Sequence, residues 1–185
     1  MKALSIEFNE EHTIRWWERL LKDEDSMNRW LSKLWNTEKN GYDGDIRSAG
    51  KYTQEGSEAR EIFHKIAKEE LSHSELLFDL LQKRGVTPVA EEQPGSAYWP
   101  HVMKGITDLK SCAAAMAIGE SLAARRFRVI QEHPDTPQDI LDFINKALPD
   151  EEGHCRDFQK IAGDEAIKNA VSRHNEAVAL IQSSP

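Results

Sequence analysis

Cysteine and long apolar runs are the two features this sequence lacks most clearly. The only cysteines among its 185 residues are Cys112 and Cys155, and they form no CxxC pair. Zinc ribbons and rubredoxin-type iron sites need paired cysteine ligands, so the sequence excludes both. It has no apolar run of about 18 residues that could span a bilayer, and its first residues lack the apolar segment of a secretory signal. We therefore expect a cytoplasmic protein, with no membrane association and with both thiols reduced.

Positive charge is also scarce. The chain has 24 Lys and Arg against 32 Asp and Glu, a formal net charge of -8, which argues against non-specific binding to nucleic acid. A hydrophobic content of 39% together with 30% charged residues fits a soluble globular protein. The length suffices for one well-cored domain, so we predict a single domain over residues 1–185.

Hydrophobic periodicity and the positions of glycine and proline predict an all-α protein. We find no convincing strand and no short-period repeat. The polar segment GYDGDIRSAGKYTQEGS, residues 41–57, contains four glycines and is predicted to be a loop. The predicted helices cover residues 11–36, 56–84, 105–132, 137–162 and 164–182.

The lengths of the connections predict how these helices are arranged. RGVTPVAEEQPGSAYWP, residues 84–100, contains three prolines and begins a long connection, whereas EHPDTPQ, residues 132–138, is a short turn. A short link makes neighbouring helices antiparallel, and only a long link lets consecutive helices run parallel. We predict a ferritin-like four-helix bundle over about residues 11–162, with one long crossover and a C-terminal fifth helix.

Polar side chains fall within the apolar stripe of three predicted helices when residues are placed at 100° intervals. Glu70 and His73 lie close to the middle of the stripe of the second helix. Glu120 lies near the centre of the stripe of the third helix. Glu151 and His154 share the apolar face of the fourth helix. Each of these side chains is therefore expected to point inward.

The first helix offers a less regular candidate. Glu24 lies in the buried seam between Leu20 and Met27, and Asp23 is a nearby rival with a larger angular offset. In the fourth helix, Pro149 either bends the axis or starts a new helix. In the second case, Glu151 and its neighbours would be ordinary acids at a helix N-terminus.

One further Glu-x-x-His pair tests the pattern. Glu61 and His64 have the same spacing as the inward pair of the second helix, but they project more than about 100° away from its apolar stripe. We therefore expect this pair to lie at the surface. The remaining polar residues repeat as Glu, Glu-x-x-His, Glu, Glu-x-x-His, one set for each helix.

Four converging carboxylates need a compensating charge, because burying an isolated carboxylate costs several kcal/mol. No Lys or Arg occupies the inward positions. Four carboxylates and two neutral imidazoles carry four negative charges, which two divalent ions cancel. Oxygen-rich ligation with one nitrogen per ion suits iron or manganese better than structural zinc. The predicted ligands of this dinuclear site are Glu24, Glu70, His73, Glu120, Glu151 and His154.

Three segments resemble a known family. IFHKIAKEELSHSELLFDLL, residues 62–81, is similar to the second helix of the rubrerythrin-like branch of the ferritin-like di-iron carboxylate superfamily. IGESLAARRF, residues 118–127, and DEEGHCRDF, residues 150–158, resemble the third and fourth helices of that branch. The first helix departs from it, because KDEDS stands where the family usually has Gly-Glu. No CxxC pair is present to form the rubredoxin domain of full rubrerythrins.

The resemblance implies two iron ions, with manganese possible, in an oxidoreductase that activates O2 or peroxide with electrons from an unidentified donor. An iron-handling protein of the ferroxidase type and a hydroxylase of the quinone or tRNA type would use the same ligands, so both stay open. A metal-free helical interaction module is a further alternative. It predicts that apolar replacement of the inward acids would be neutral or stabilising.

The tryptophans of the first helix bear on self-association. Trp16, Trp17, Trp30 and Trp35 are spread over more than one face, so one bundle core cannot easily bury every ring. The excess apolar surface should meet either the fifth helix or a second copy of the chain. We predict a homodimer.

Overall fold

The computed structural model describes residue 4, residues 6–90 and residues 98–182. Within these ranges the chain forms helices and no strand, which confirms the all-α prediction. None of the helices found there combines the length and the apolar character needed to cross a bilayer. The helices are α1 (Glu10–Leu20), α2 (Glu24–Tyr52), α3 (Glu58–Lys83), α4 (Tyr98–Met103), α5 (Leu109–Glu132) and α6 (Gln138–Gln182).

The first predicted helix is two helices. The Asn9 side chain accepts a hydrogen bond of 2.8 Å from the backbone N–H of His12 and so caps α1. α1 ends at Leu20, and α2 begins after Asp23, whose carboxylate accepts a hydrogen bond from the Ser26 hydroxyl. Aspartate favours such capping positions over helix interiors. The prediction of one continuous helix over residues 11–36 is therefore wrong.

The prediction of a loop over residues 41–57 is also largely wrong, because α2 continues to Tyr52. Gly41, Gly44 and Gly50 all lie inside this helix. Each mid-helix glycine costs about 1 kcal/mol relative to alanine, which is why the segment looks unfavourable for a helix. Packing compensates, since α2 lies along α3 and buries residues as late as Ala49. Only residues 53–57 connect the two helices.

The connections have the predicted long and short lengths. Residues 84–108 separate α3 from α5 and include the short helix α4, whereas residues 133–137 link α5 to α6. The Phe127 and Phe143 rings, one from each of these two helices, lie 5.8 Å apart between centroids in an edge-to-face contact. Two turns and one long crossover therefore join the four long helices.

Contacts divide the chain into two compact units. The first unit comprises Met1–Phe8, Gln93–Ala124 and Glu151–Pro185, and the second comprises Asn9–Glu92 and Arg125–Asp150. The boundary between Ala124 and Arg125 falls inside α5, and the boundary between Asp150 and Glu151 falls inside α6. Each of these two helices therefore contributes residues to both units. The organisation as a single domain stays a prediction.

The tryptophans of α1 and α2 pack together within the second unit. Trp17 is fully buried, and its Nε1 donates a hydrogen bond of 2.9 Å to the Thr136 hydroxyl. The rings of Trp16 and Trp30 contact Trp17 at centroid distances of 5.9 and 5.2 Å. Much of the aromatic surface that prompted the homodimer prediction is therefore covered within this unit.

The long helix α6 changes direction at Gly163. This residue has φ 74° and ψ 165°, outside the helical region, whereas Pro149 lies inside the helix without ending it. The change of direction divides α6 where the sequence predicts one helix to end at residue 162 and another to begin at 164. Only glycine readily adopts this backbone conformation.

Replacing Gly163 should therefore destabilise the protein. We expect Gly163→Ala to lower the free energy of unfolding by about 1–3 kcal/mol because alanine would be strained there. Gly50→Ala is the control, since an added Cβ meets nothing within 4 Å in α2, and it should raise stability by about 0.5–1 kcal/mol. Chemical denaturation measures both. A stabilising Gly163→Ala would show that α6 runs straight through this position.

Candidate metal centre

The second unit contains one buried triad of possible metal ligands. Glu38 comes from α2, and Glu70 and His73 come from α3. Each offers a ligand atom, and these atoms lie within 4.8 Å of one another. All three side chains are buried, and His73 Nδ1 lies 3.4 Å from Glu38 Oε2. Two carboxylates and one imidazole thus converge at one point, which we call the α2–α3 triad.

Glu24, the predicted ligand from the first helix, is not part of this triad. It is exposed in the first turn of α2, so the prediction that it points inward is wrong. Glu38 of α2 is the inward-pointing acid that was expected at Glu24. Leu31, Trp35, Glu38 and Asp45 are all buried and follow the 3-4 spacing of one helical face. This signal is present in the sequence but disappears when residues 41–57 are interpreted as a loop.

Gly41 makes room for one carboxylate of the triad. A Cβ at this position would lie 2.9 Å from Glu70 Oε2, closer than real Cβ contacts. The pairing of Gly41 with Glu70, and of Glu38 with His73, also shows that α2 and α3 run antiparallel here. The glycine that suggests a loop is therefore a site where a helix approaches a buried acid.

Asp150, at the end of the second unit's part of α6, contacts the other nitrogen of His73. The distance from His73 Nε2 to Asp150 Oδ2 is 3.2 Å. A neutral His73 that donates its Nε2–H to Asp150 keeps the Nδ1 lone pair available on the side of Glu38, as a metal ligand requires. In the sequence Asp150 is only an acid beside Glu151, and no local pattern indicates this contact with His73.

The acids around His73 change its protonation. Burial alone would lower the pKa of the imidazole, but hydrogen bonding and attraction from Glu38, with further contributions from Glu70 and Asp150, outweigh it and raise the pKa. A proton on His73 thus offsets part of the negative charge of the triad. A bound cation would take over that role and release the proton.

The first unit contains a second triad of the same composition. Glu120 comes from α5, and Glu151 and His154 come from α6. Their ligand atoms also lie within 4.8 Å of one another. Glu151 and His154 are buried, and His154 Nδ1 lies 3.8 Å from Glu120 Oε2. We call this group the α5–α6 triad.

The course of α6 decides between the two interpretations of Pro149. The helix begins at Gln138, three turns before Glu151, so Glu151 is not an acid at a helix N-terminus. Because Glu151 and His154 lie one turn apart inside a continuous helix, they face the same side. The competing pair is placed as predicted, with Glu61 exposed and outside both triads.

The donor set of each triad fits a divalent cation. Two carboxylates and a neutral imidazole carry two negative charges, which one divalent ion cancels. Burial makes the charge costly without such compensation. Five of the six predicted ligands belong to the two triads, and Glu38 completes them. Oxygen-rich ligation with one nitrogen suits iron or manganese.

Comparison with known proteins identifies the family. The Rubrerythrin family model matches residues 48–162, more than half of the chain. The chain therefore belongs to the rubrerythrin family, which lies in the ferritin-like di-iron superfamily. No curated protein and no solved structure matches the chain. The matched region contains five of the six triad residues, whereas Glu38 precedes it.

The close approach at Gly41 provides a test of the α2–α3 triad. Gly41→Ala places a methyl group against the Glu70 carboxylate and should reduce the amount of metal that copurifies with the protein. Gly44→Ala is the matched control, because its added Cβ meets nothing within 4 Å. Elemental analysis of both variants measures the effect. Equal metal content in the two variants would contradict a role of Glu70 in binding metal.

Proposed function

We propose that the protein is a di-iron carboxylate oxidoreductase that activates O2 or peroxide. The observation that carries this proposal is the repetition of one ligand set, a Glu with a Glu-x-x-His pair, in both triads, with every member buried except the half-buried Glu120. The superfamily pattern is a Glu from each of two helices and Glu-x-x-His from each of two others. We infer that each triad would hold one divalent ion, so that the chain would bind two.

Membership of the rubrerythrin family supports two ions per chain. The charges also balance, because four carboxylates and two neutral imidazoles match two divalent ions. Manganese is the alternative occupant for the same donor set.

The residues of the chain have distinct roles in this proposal. Iron, when bound, would supply the electrons for a two-electron reduction of O2 or peroxide. The carboxylates hold the cations, and their burial keeps bulk water away. Asp150 accepts a hydrogen bond from His73 Nε2–H and so fixes the tautomer and orientation of the ring in the metal-bound state. We propose that electrons come from a donor outside these 185 residues, because the chain contains no CxxC pair.

Loading the metal-free protein anaerobically with two equivalents of Fe(II) and then adding O2 or peroxide tests this function. We expect rapid oxidation, followed as a rise in ferric absorbance. Glu38→Ala and Glu70→Ala should abolish it because each removes a ligand. Glu24→Ala and Glu61→Ala are the matched controls and should leave it unchanged, since both side chains are exposed. Asp150→Asn should weaken metal binding by about 10–100-fold.

The course of the reaction separates the enzyme from the iron-handling alternative. Repeated turnover of peroxide or an organic substrate after re-reduction supports an oxidoreductase. A single oxidation per site, with iron accumulating beyond two ions per chain, would identify an iron-handling protein instead. An undiminished rate in Glu70→Ala would show that the α2–α3 triad does not bind the reactive metal.

We also propose a homodimer. Leu71 and Phe78 lie seven residues apart on α3 and are 38% and 39% exposed, and the Phe78 ring lies 6.4 Å from that of Trp35. This apolar strip on α3 supports the proposal better than the α1 tryptophans do, because those rings pack on one another. Sedimentation at micromolar concentration should give a species of twice 21.1 kDa. A monomer would contradict the proposal.

A further inference from the structure

The first unit contains a cavity of about 450 Å³ that lies apart from the α5–α6 triad. It is bounded by the segment before α5 and by the part of α6 that follows Gly163. Its lining is mixed. The apolar contribution comes from Val102, Ile106, Ala115, Ile118 and Ala162, and the positive charge comes from Lys110 and Arg173.

Gly105 lies directly against the side chain of Arg173 at this cavity. A Cβ on residue 105 would lie 2.4 Å from Arg173 Nε and 2.5 Å from its Cζ, so a larger residue there would displace the guanidinium from this position. Within the part of the chain that the structure describes, Arg173 forms no hydrogen bond and no ion pair. A guanidinium has five N–H donors. Its donors at the cavity are therefore available to a ligand.

The acids that also line the cavity are engaged in other ways. Asp108 Oδ1 accepts hydrogen bonds of 2.8 Å from both the backbone N–H and the hydroxyl of Ser111 at the start of α5. These bonds lower the pKa of Asp108. Asp164 and Glu165 are exposed in the first turn after Gly163, where backbone N–H groups favour acidic side chains. Arg173 is exposed at the cavity and has no protein partner among the residues that the structure describes.

We propose that this cavity binds a small organic anion. An oxyanion, either a carboxylate or a phosphate, binds Arg173, and an apolar portion packs against Val102, Ile106 and Ile118. Guanidinium groups match both oxyanions through paired N–H donors. The cavity volume lies within the range of about 300–1,000 Å³ found for small-molecule pockets.

This site is separate from the metal ligands. Ala162 follows His154 by eight residues, which corresponds to about 12 Å along the helix at a rise of 1.5 Å per residue. A ligand in the cavity therefore contacts the same two helices as the α5–α6 triad, and none of the three triad residues lines the cavity. The proposal does not depend on which metal is bound or on whether the protein is an enzyme.

Calorimetric titration of the full-length protein tests the proposal with three probes: hexanoate, inorganic phosphate and hexanol. We expect hexanoate to bind at one site per chain and hexanol to bind at least about tenfold more weakly, because hexanol lacks the charge that pairs with Arg173. Phosphate that binds more tightly than hexanoate would identify phosphate as the anion and still support the site. Absence of binding by both anions would overturn the proposal.

Two variants and a matched control locate the binding. Arg173→Gln should weaken anion binding at least about tenfold. Gly105→Ala should do the same by displacing the guanidinium. Lys168→Gln removes an exposed charge from the same part of α6 outside the cavity lining and should leave binding unchanged. Circular dichroism and metal content verify that each variant is folded. Equal affinities in Arg173→Gln and Lys168→Gln would overturn the proposal.

Discussion

Burial of carboxylates is the constraint on which the rest of this structure depends. Glu38, Glu70 and Glu151 are buried, and imidazoles and other acids lie at ligand distance from them. The helices keep these acids buried, because apolar residues on the same helical faces pack into the interior. A cation offsets the resulting repulsion at a lower cost than exposing the acids to water. The folding of the helices and the occupation of the triads are therefore linked.

The histidines show how each triad is oriented by its surroundings. His73 lies between Glu38 on one side of its ring and Asp150 on the other. An imidazole with acids at both nitrogens has one preferred orientation, which removes the entropy of ring rotation before a ligand arrives. The His154 side chain is buried as completely as that of His73. Both rings are thus part of the packed interior as well as candidate ligands.

Much of the fold and most of the candidate site could be predicted from the sequence. Glu70, His73, Glu120, Glu151 and His154 were found because each lies within a long apolar stripe of regular period. Glu24 was predicted to point inward but is exposed, and Glu38 was missed because the glycines of residues 41–57 lower helix propensity. Gly41 lies in a helix because it faces the Glu70 carboxylate. Such a long-range contact leaves no local pattern, and neither does the contact between Asp150 and His73.

Gly163 has a consequence for how the C-terminal end of the chain loses its structure. Fraying of a helix proceeds from its end one hydrogen bond at a time, and it stops where the regular hydrogen-bond ladder is already interrupted. The non-helical dihedrals at Gly163 supply such an interruption between His154 and the last part of α6. Residues 164–182 can therefore open to amide exchange without loosening the turn that carries Glu151 and His154.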